Sequence, residues 1–512
     1  MKTGGTVPTG TLGEERMNKL SQSTLGQLGP SVAVPAYDRS TVKPGVVHFG
    51  VGNFHRVHLA VYLDRCLASP GASDWGICGV ELMDSPATQA KAAAYASQDN
   101  LYTVTECAPD GSAEVRVIGA MVKYLHAPSD PEAVTAQLAD PLTRIVSLTV
   151  TEGGYNLDEA TGEFVLTTPG VASDLTGAPL QTAFGFVTEG LRRRRDAGLP
   201  AYTVMSCDNL RHNGDTARKA IVSYARALDP ALADWIDREA AFPNSMVDRI
   251  APQVPEAVRR SLNERSGIDD ELPALGEDFM QFVLEDSFSN GRPDLGAVGV
   301  ELRDDVGVFE VMKQRVLNAS HMLLGYPGLL VGLRIVHEAM AEPRFYRLLD
   351  SFQVGDVIPH LEAPRGVSLP AYKDKVLDRF KNPAIGDQLQ RLSLDGWAKF
   401  PIYHGKILAN LLEAGGDLRR EAFFLACIER YLSGRDDKGE TFTVHEPHIG
   451  EEDWALIRND DPVGFLRGSP FANLGLADHS TFAPLFVGFR DAMAKQGCAP
   501  VLDRLLAETG AS

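Results

Sequence analysis

The stretch Lys313-Gln-Arg-Val-Leu-Asn-Ala-Ser-His321 sets an amine, an amide and an imidazole along a segment whose other neighbours, Val316, Leu317, Met322, Leu323 and Leu324, are apolar. At about 100° per residue in an α-helix, Asn318 lies roughly 140° from Lys313 and His321 roughly 80° from it, so the three share one side. Aimed at one space, such groups can take a proton from a hydroxyl and hold the oxygen left behind. The segment alone leaves a plainer option open. Lys313 could be solvated and paired with Glu310 one turn back, with Asn318 and His321 satisfied in packing.

A second chemical feature lies near the start of regular structure. Val46-Val47-His48-Phe49 is a β-favouring run that meets Gly50-Val51-Gly52-Asn53-Phe54-His55. The first glycine permits a tight turn, and the second lets backbone approach a pyrophosphate at a helix N-terminus. His55 replaces the third glycine of that fingerprint, so the helix should pack less closely on its strand. Residues expected to face a dinucleotide are Val47, Phe49, Gly50, Val51, Gly52, Asn53, Phe54, His55 and Arg56, with Arg56 able to reach a phosphate. His55, Arg56 and His58 can also be read as a solvated basic turn. Downstream, Glu81 and Asp84 are candidates for the carboxylate that binds the adenosine ribose and repels a 2′-phosphate, favouring NAD over NADP. Asp84 is preferred, although it could instead cap the helix opening at Pro86.

The elements around these features alternate. Strand-like runs at 75–82, 115–118, 144–150 and 202–206 are separated by helical stretches at 54–67, 131–139, 180–197 and 214–228. That pattern predicts a parallel, doubly wound α/β sheet of Rossmann type. From about 305 the texture changes to long amphipathic segments near 306–324, 328–341, 372–381, 385–394, 405–414 and 419–433. The expected organisation is an extended lead-in over 1–40, an NAD-binding domain over 41–302 and a mainly helical domain over 303–512.

Bulk properties narrow the function. A chain of 512 residues with 44% hydrophobic and 23% charged residues is long enough for two or three domains with substantial cores. The net charge of −19 opposes binding to nucleic acid or anionic membranes. Six scattered cysteines without a Cys-x-x-Cys pair argue against a disulfide framework and a cysteine zinc site. His445-Glu-Pro-His448 lacks helical i,i+4 spacing, so no metal site is expected. No signal peptide or membrane span is evident, and the chain reads as cytoplasmic. No Tyr is followed four residues later by Lys, so the short-chain dehydrogenase arrangement of those two residues is missing.

Five stretches read together go further: Gly50-Val-Gly-Asn-Phe-His-Arg-Val-His58, Thr151-Glu-Gly-Gly-Tyr-Asn156, Ser206-Cys-Asp-Asn-Leu-Arg-His-Asn-Gly214, Phe242-Pro-Asn-Ser-Met-Val-Asp-Arg-Ile250, and the Lys313…Asn318…His321 segment. From about Val46 onward the chain resembles the polyol-specific long-chain dehydrogenase family. The resemblance implies metal-independent, NAD-linked interconversion of D-mannitol and D-fructose at C2, by an enzyme that leans toward monomer. It implies Lys313 as general base, with Asn209 and Asn318 holding the reacting oxygen. It also implies His321, Asp248 and Arg391 on substrate hydroxyls, Glu310 linking Lys313 to solvent protons, and Glu152 close to the nicotinamide.

Competing readings stay open. Asn209 could merely support the turn into the next helix, Asp248 could pair internally with Arg249, and Arg391 could be a solvated helical arginine. A sugar-acid reductase acting on fructuronate or mannonate would want an extra cation near Gly153. Gly153 and the Arg211-His212 pair point instead to a neutral polyol, for which D-arabinitol is the harder rival. A catalytically silent NAD sensor would have no need of a proton acceptor.

Overall fold

The computed structural model describes residues 17–158 and 161–510. Its centre is a five-stranded sheet in the spatial order Met121–His126, Gly76–Glu81, Pro44–Phe49, Ile145–Leu148, Thr203–Ser206, parallel throughout. Numbered along the chain, that is 3-2-1-4-5, the doubly wound order. Successive side chains point to opposite faces. Val46, Ile77, Ile145 and Met205 join one buried cluster, and Val47, Cys78, Val146 and Val204 join another. A fully buried side chain of this size is worth about 1.5–3 kcal/mol, so neither face can stay wet, and the strands read as near-continuous apolar runs.

Three smaller sheets accompany this one among the described residues. Ala113–Ile118, expected in the parallel sheet, instead runs antiparallel to Tyr102–Cys107, which in turn pairs with Ala274–Glu277. Ser245–Asp248 pairs antiparallel with Gln281–Leu284. Of the lead-in segment, residues 17–40 carry little regular structure and are tied down. Asn18–Lys19 pairs with Ile268–Asp269, Val32–Ala33 pairs with Val115–Arg116, and Leu20 is fully buried.

Beyond residue 305 the chain is helical and has its own core, running from Val306 to Leu506. That core also takes in Met246 and Val283 of the antiparallel pair, so the two halves share packed surface. The helix expected over 306–324 is longer and interrupted: Val306–Lys313, a π-turn over Gln314–Asn318, then Ala319–Leu330. Among the described residues, no helix is long and apolar enough to cross a membrane.

Candidate active site

Gly50 leaves the first strand with φ +92, and a Cβ there would lie 2.1 Å from the Thr149 carbonyl oxygen. Only glycine lets the ends of the first and fourth strands approach so closely. Gly52 is different: a Cβ there would meet nothing nearer than 3.8 Å, so the turn presents open backbone. In place of a third glycine, His55 stacks on His48 with ring centroids 3.5 Å apart. Two rings thus separate helix from strand, and the helix breaks at His58 into Asn53–Val57 and Leu59–Leu67. The basic turn is not solvated. His55, Arg56 and His58 are all buried, and burial first of all pushes His48 and His58 down to about 3 and His55 well below its usual value.

Lys313 ends the helix Val306–Lys313 and is buried. Nζ donates to Asn209 Oδ1 at 2.5 Å and to the Val247 carbonyl at 2.6 Å. Glu310 turns elsewhere, accepting the His212 N–H at 3.1 Å, so the amine is placed by the α/β half of the chain. In the π-turn that follows, Ala319 N–H donates to Gln314 O, five residues back. In an α-helix the bonded residues i and i+4 lie about 40° apart around the axis. Widening the loop to i+5 gives Lys313 and Asn318 roughly that separation, in place of the 140° of a regular helix.

A cleft of about 540 Å³ runs from the glycine turn to this helix. Gly50, Gly52, Asn53, Phe54 and His55 line one end, and Asn209, Lys313, Asn318, His321 and Arg391 the other. Asn318 Oδ1 and His321 Nε2 are buried without a protein partner among the described residues. His321 is stacked on Phe380 at 4.2 Å, and burial, with the charge of Arg391, pushes it down to about 3, so it is neutral. Because Asn209 Oδ1 accepts from Lys313, the NH₂ of that amide is left as the donor. The turn-supporting role weighed for Asn209 falls to Asn213, whose Nδ2 holds the Asp208 and Ser245 carbonyls at 3.0 Å.

Asp248 also lines the cleft, but its carboxylate is taken. Arg379 donates to both its oxygens at 2.7 and 2.9 Å and to both oxygens of Glu277. Arg249 is not its partner and pairs with Glu106 instead. Burial alone would raise the Asp248 carboxyl, and the Arg379 guanidinium outweighs burial and holds it below its usual range. Arg391 is not simply solvated: Nε and Nη2 grip Asp387 at 2.7 and 2.5 Å, which leaves three of its five N–H donors for a ligand. Burial raises the Glu310 carboxyl, and Glu310 and Lys313 both line a cavity of about 10 Å³, the threshold for holding one water.

The remaining cofactor-end residues are more dispersed. Val47 and Phe49 are fully buried in the sheet and Val51 nearly so, so their side chains support the turn without reaching the cleft. Arg56 is committed to the Leu272 carbonyl and Asn53 Oδ1, so it is not extended toward a phosphate. Glu81 closes the second strand and pairs with Lys91 at 2.8 Å. Asp84 accepts from Gln89, and the cap ahead of Pro86 is Ser85, in a capping box with Thr88. The side chain of Glu152 lies outside the described residues.

Three contributors escaped the sequence reading. Asp208 accepts the N–H groups of Val150 and Thr151 and the Tyr155 hydroxyl, fixing Thr151 at φ +70 on the cleft wall. It stands inside Ser206-Cys-Asp-Asn209, where its neighbour Asn209 drew the attention. Arg379 carried no motif at all, nor did Gln353, whose amide donates to the Arg315 and Val316 carbonyls of the π-turn. Among the described residues, no three His, Cys, Asp or Glu side chains gather as a metal site.

A 3-2-1-4-5 parallel sheet, a glycine turn at its switch point and an amine–amide pair across the cleft define a Rossmann-type oxidoreductase. More narrowly, the chain belongs to the mannitol dehydrogenase family: residues 44–297 match its Rossmann domain and 305–482 its C-terminal domain. It is a polyol oxidoreductase. A polyol:NADP oxidoreductase of Gluconobacter oxydans (strain 621H) is 46% identical over 93% of this chain and 98% of its own. A solved substrate-free D-sorbitol dehydrogenase is 45% identical, with a TM-score of 0.86 over 94% of this chain and 100% of the other. Mannitol 2-dehydrogenase of Pseudomonas fluorescens, solved with NAD and D-mannitol, is 39% identical, with a TM-score of 0.87 over 96% of this chain and 99% of the other.

Proposed function

We propose that the protein interconverts D-mannitol and D-fructose at C2, using NAD and with Lys313 as general base. The observation that carries this reading is the shared cleft: the amine fixed by Asn209 and Val247 opens on the same space as the Gly50–Gly52 turn. The similarity to an enzyme solved with NAD and D-mannitol supports both choices.

The residues present suit a dinucleotide. Gly52 leaves open backbone, and His55 lines the cleft with both ring nitrogens buried and without a protein partner among the described residues. Gly50 to His55 would hold the pyrophosphate end, and Glu81 or Asp84 the ribose. Bound there, NAD supplies the hydride acceptor. This chain's own residues do the rest. An amine that donates two N–H bonds keeps a lone pair, so Lys313 can take the C2 hydroxyl proton while held in place. Asn209 and Asn318 aim neutral donors at the oxygen as it gains charge, without competing for the proton. His321, held neutral and stacked, and Arg391 meet other hydroxyls. The raised Glu310 carboxyl and the small cavity beside it give the proton a way out. Asp248 acts through its pairing with Arg379, shaping the wall.

The relatives favour one second reading, D-sorbitol with either nicotinamide cofactor. Mannitol and sorbitol differ only in configuration at C2, so fructose reduction separates them: hydride delivered to one face gives mannitol and to the other sorbitol. Chromatography of the product with NADH and with NADPH, beside oxidation assays on D-mannitol, D-sorbitol, D-arabinitol and D-mannonate, tests the reading. Sorbitol as the sole product, or mannonate as the fastest substrate, would replace it. Inertness toward all four would favour a silent NAD sensor.

A further inference from the structure

The π-turn at Gln314–Asn318 is not isolated. Two more wide turns, Gln353–Val357 and Pro401–Gly405, occur in the helical half, and each sends one side chain into the first. Returning from i→i+5 to i→i+4 bonding skips a main-chain carbonyl, which needs another donor when buried. Gln353, fully buried, supplies it: Nε2 reaches the carbonyls of Val316 at 3.0 Å and Arg315 at 3.3 Å and the Ser320 hydroxyl at 2.6 Å. His404, also fully buried, faces the Ala319 carbonyl with Nε2 at 3.0 Å and Glu421 Oε1 with Nδ1 at 2.9 Å. Phe352, Phe400 and Phe424 pack around its ring. The ring is thus clamped between the Ala319 carbonyl and the Glu421 carboxylate.

We propose that Gln353 and the His404–Glu421 pair are positioning residues: they hold open the wide turn that closes the angle between Lys313 and Asn318 from roughly 140° to about 40°. This rests on the reading of Lys313 as base. Neither residue lines the cleft, and each acts through carbonyls of Arg315, Val316 or Ala319, which are interleaved along the chain with the cleft-lining Lys313, Leu317, Asn318 and His321. If the turn relaxes to a regular helix, Asn318 swings by roughly 100° relative to Lys313, and the oxygen loses a donor.

The test compares Gln353→Met, which keeps length and removes the donor, with His404→Leu and His404→Gln. Gln retains an N–H where Nε2 stood. In the folded holoenzyme, Gln353→Met and His404→Leu should lower kcat for D-mannitol oxidation by about 10–100-fold, the scale of a 1 Å misplacement. NADH affinity, read by fluorescence titration, should stay within about twofold. His404→Gln should recover most of the lost kcat. The same Gln353→Met change in a Lys313→Ala background should cost little more, since both act on one step. Near wild-type kcat with only a lowered Tm, equal loss in His404→Leu and His404→Gln, or failure of all three variants to fold would overturn this assignment. A fully active Lys313→Ala enzyme would instead remove the base reading beneath it.

Discussion

Lys313 Nζ donates to Asn209 Oδ1 across 2.5 Å, joining the end of a helix in the C-terminal half to the loop after the fifth parallel strand. That contact makes one site of two halves, and it sets what each partner can do. The amide oxygen orients the amine, which leaves the amide NH₂ as the donor that the proposed mechanism assigns to the reacting oxygen. Removing the amine by Lys313→Ala should cut turnover by at least about 10²-fold. Cofactor affinity should barely change, and small primary amines should restore part of the rate. Steady-state kinetics from neutral to mildly alkaline pH decide it, and wild-type rates there would end the assignment.

Asn318→Ala and Asn209→Ala should each lower kcat by roughly 10²–10³, about 3 kcal/mol for loss of one preorganised donor. Asn318→Asp should be no better, because a carboxylate facing an alkoxide adds like-charge repulsion. Asn209→Ala carries a second effect, since it also releases Lys313, and its pH–rate profile should shift where that of Asn318→Ala does not. An active Asn318→Asp enzyme contradicts the oxygen-holding role.

Glu81 ends the strand next to the glycine turn's own strand, while Asp84 is exposed and bonded to Gln89. Glu81→Ala should therefore narrow any preference for NAD over NADP more than Asp84→Ala. It removes a repulsive carboxylate and releases the Lys91 ammonium toward a 2′-phosphate. The ratio of kcat/KM for the two cofactors measures this, and unchanged ratios in both variants would place discrimination elsewhere.

Arg379→Met should destabilise the fold by about 3–5 kcal/mol, because it strands two buried carboxylates, Asp248 and Glu277. The sign with pH is fixed. Without Arg379 both groups have folded pKa values above their unfolded ones, so the penalty is full above the folded values and fades as pH falls through them. In the wild type the reverse holds for Asp248, whose lowered carboxyl contributes stability above the ordinary range near 4 that is lost in acid. Melting curves of both proteins between pH 4 and 8 should therefore converge toward the acid end. A constant gap in Tm would show that the ion network is not its source.

Much of this protein was already legible in its residues. The glycine turn after an apolar run, the alternation of strands and helices to about 300, the helical texture afterwards and the spaced Lys313…Asn318…His321 set are all local patterns, and local patterns survive into the fold. Short strands were missed because their stability is not local. Ala274–Glu277 is a strand only because it pairs with Val104–Cys107, some 170 residues away. Tertiary contacts also decided the finer chemistry. Asp248 met Arg379 instead of its neighbour Arg249, and the cap fell to Ser85 instead of Asp84. Above all, a regular helix would leave Lys313 and Asn318 roughly 140° apart. The wide turn that aligns them leaves a main-chain carbonyl without its helical donor, and side chains from distant turns stand beside it: Gln353 donates to the Arg315 and Val316 carbonyls, and His404 meets that of Ala319 just beyond. No window of sequence around Lys313 contains those donors, so only the folded chain could set that angle.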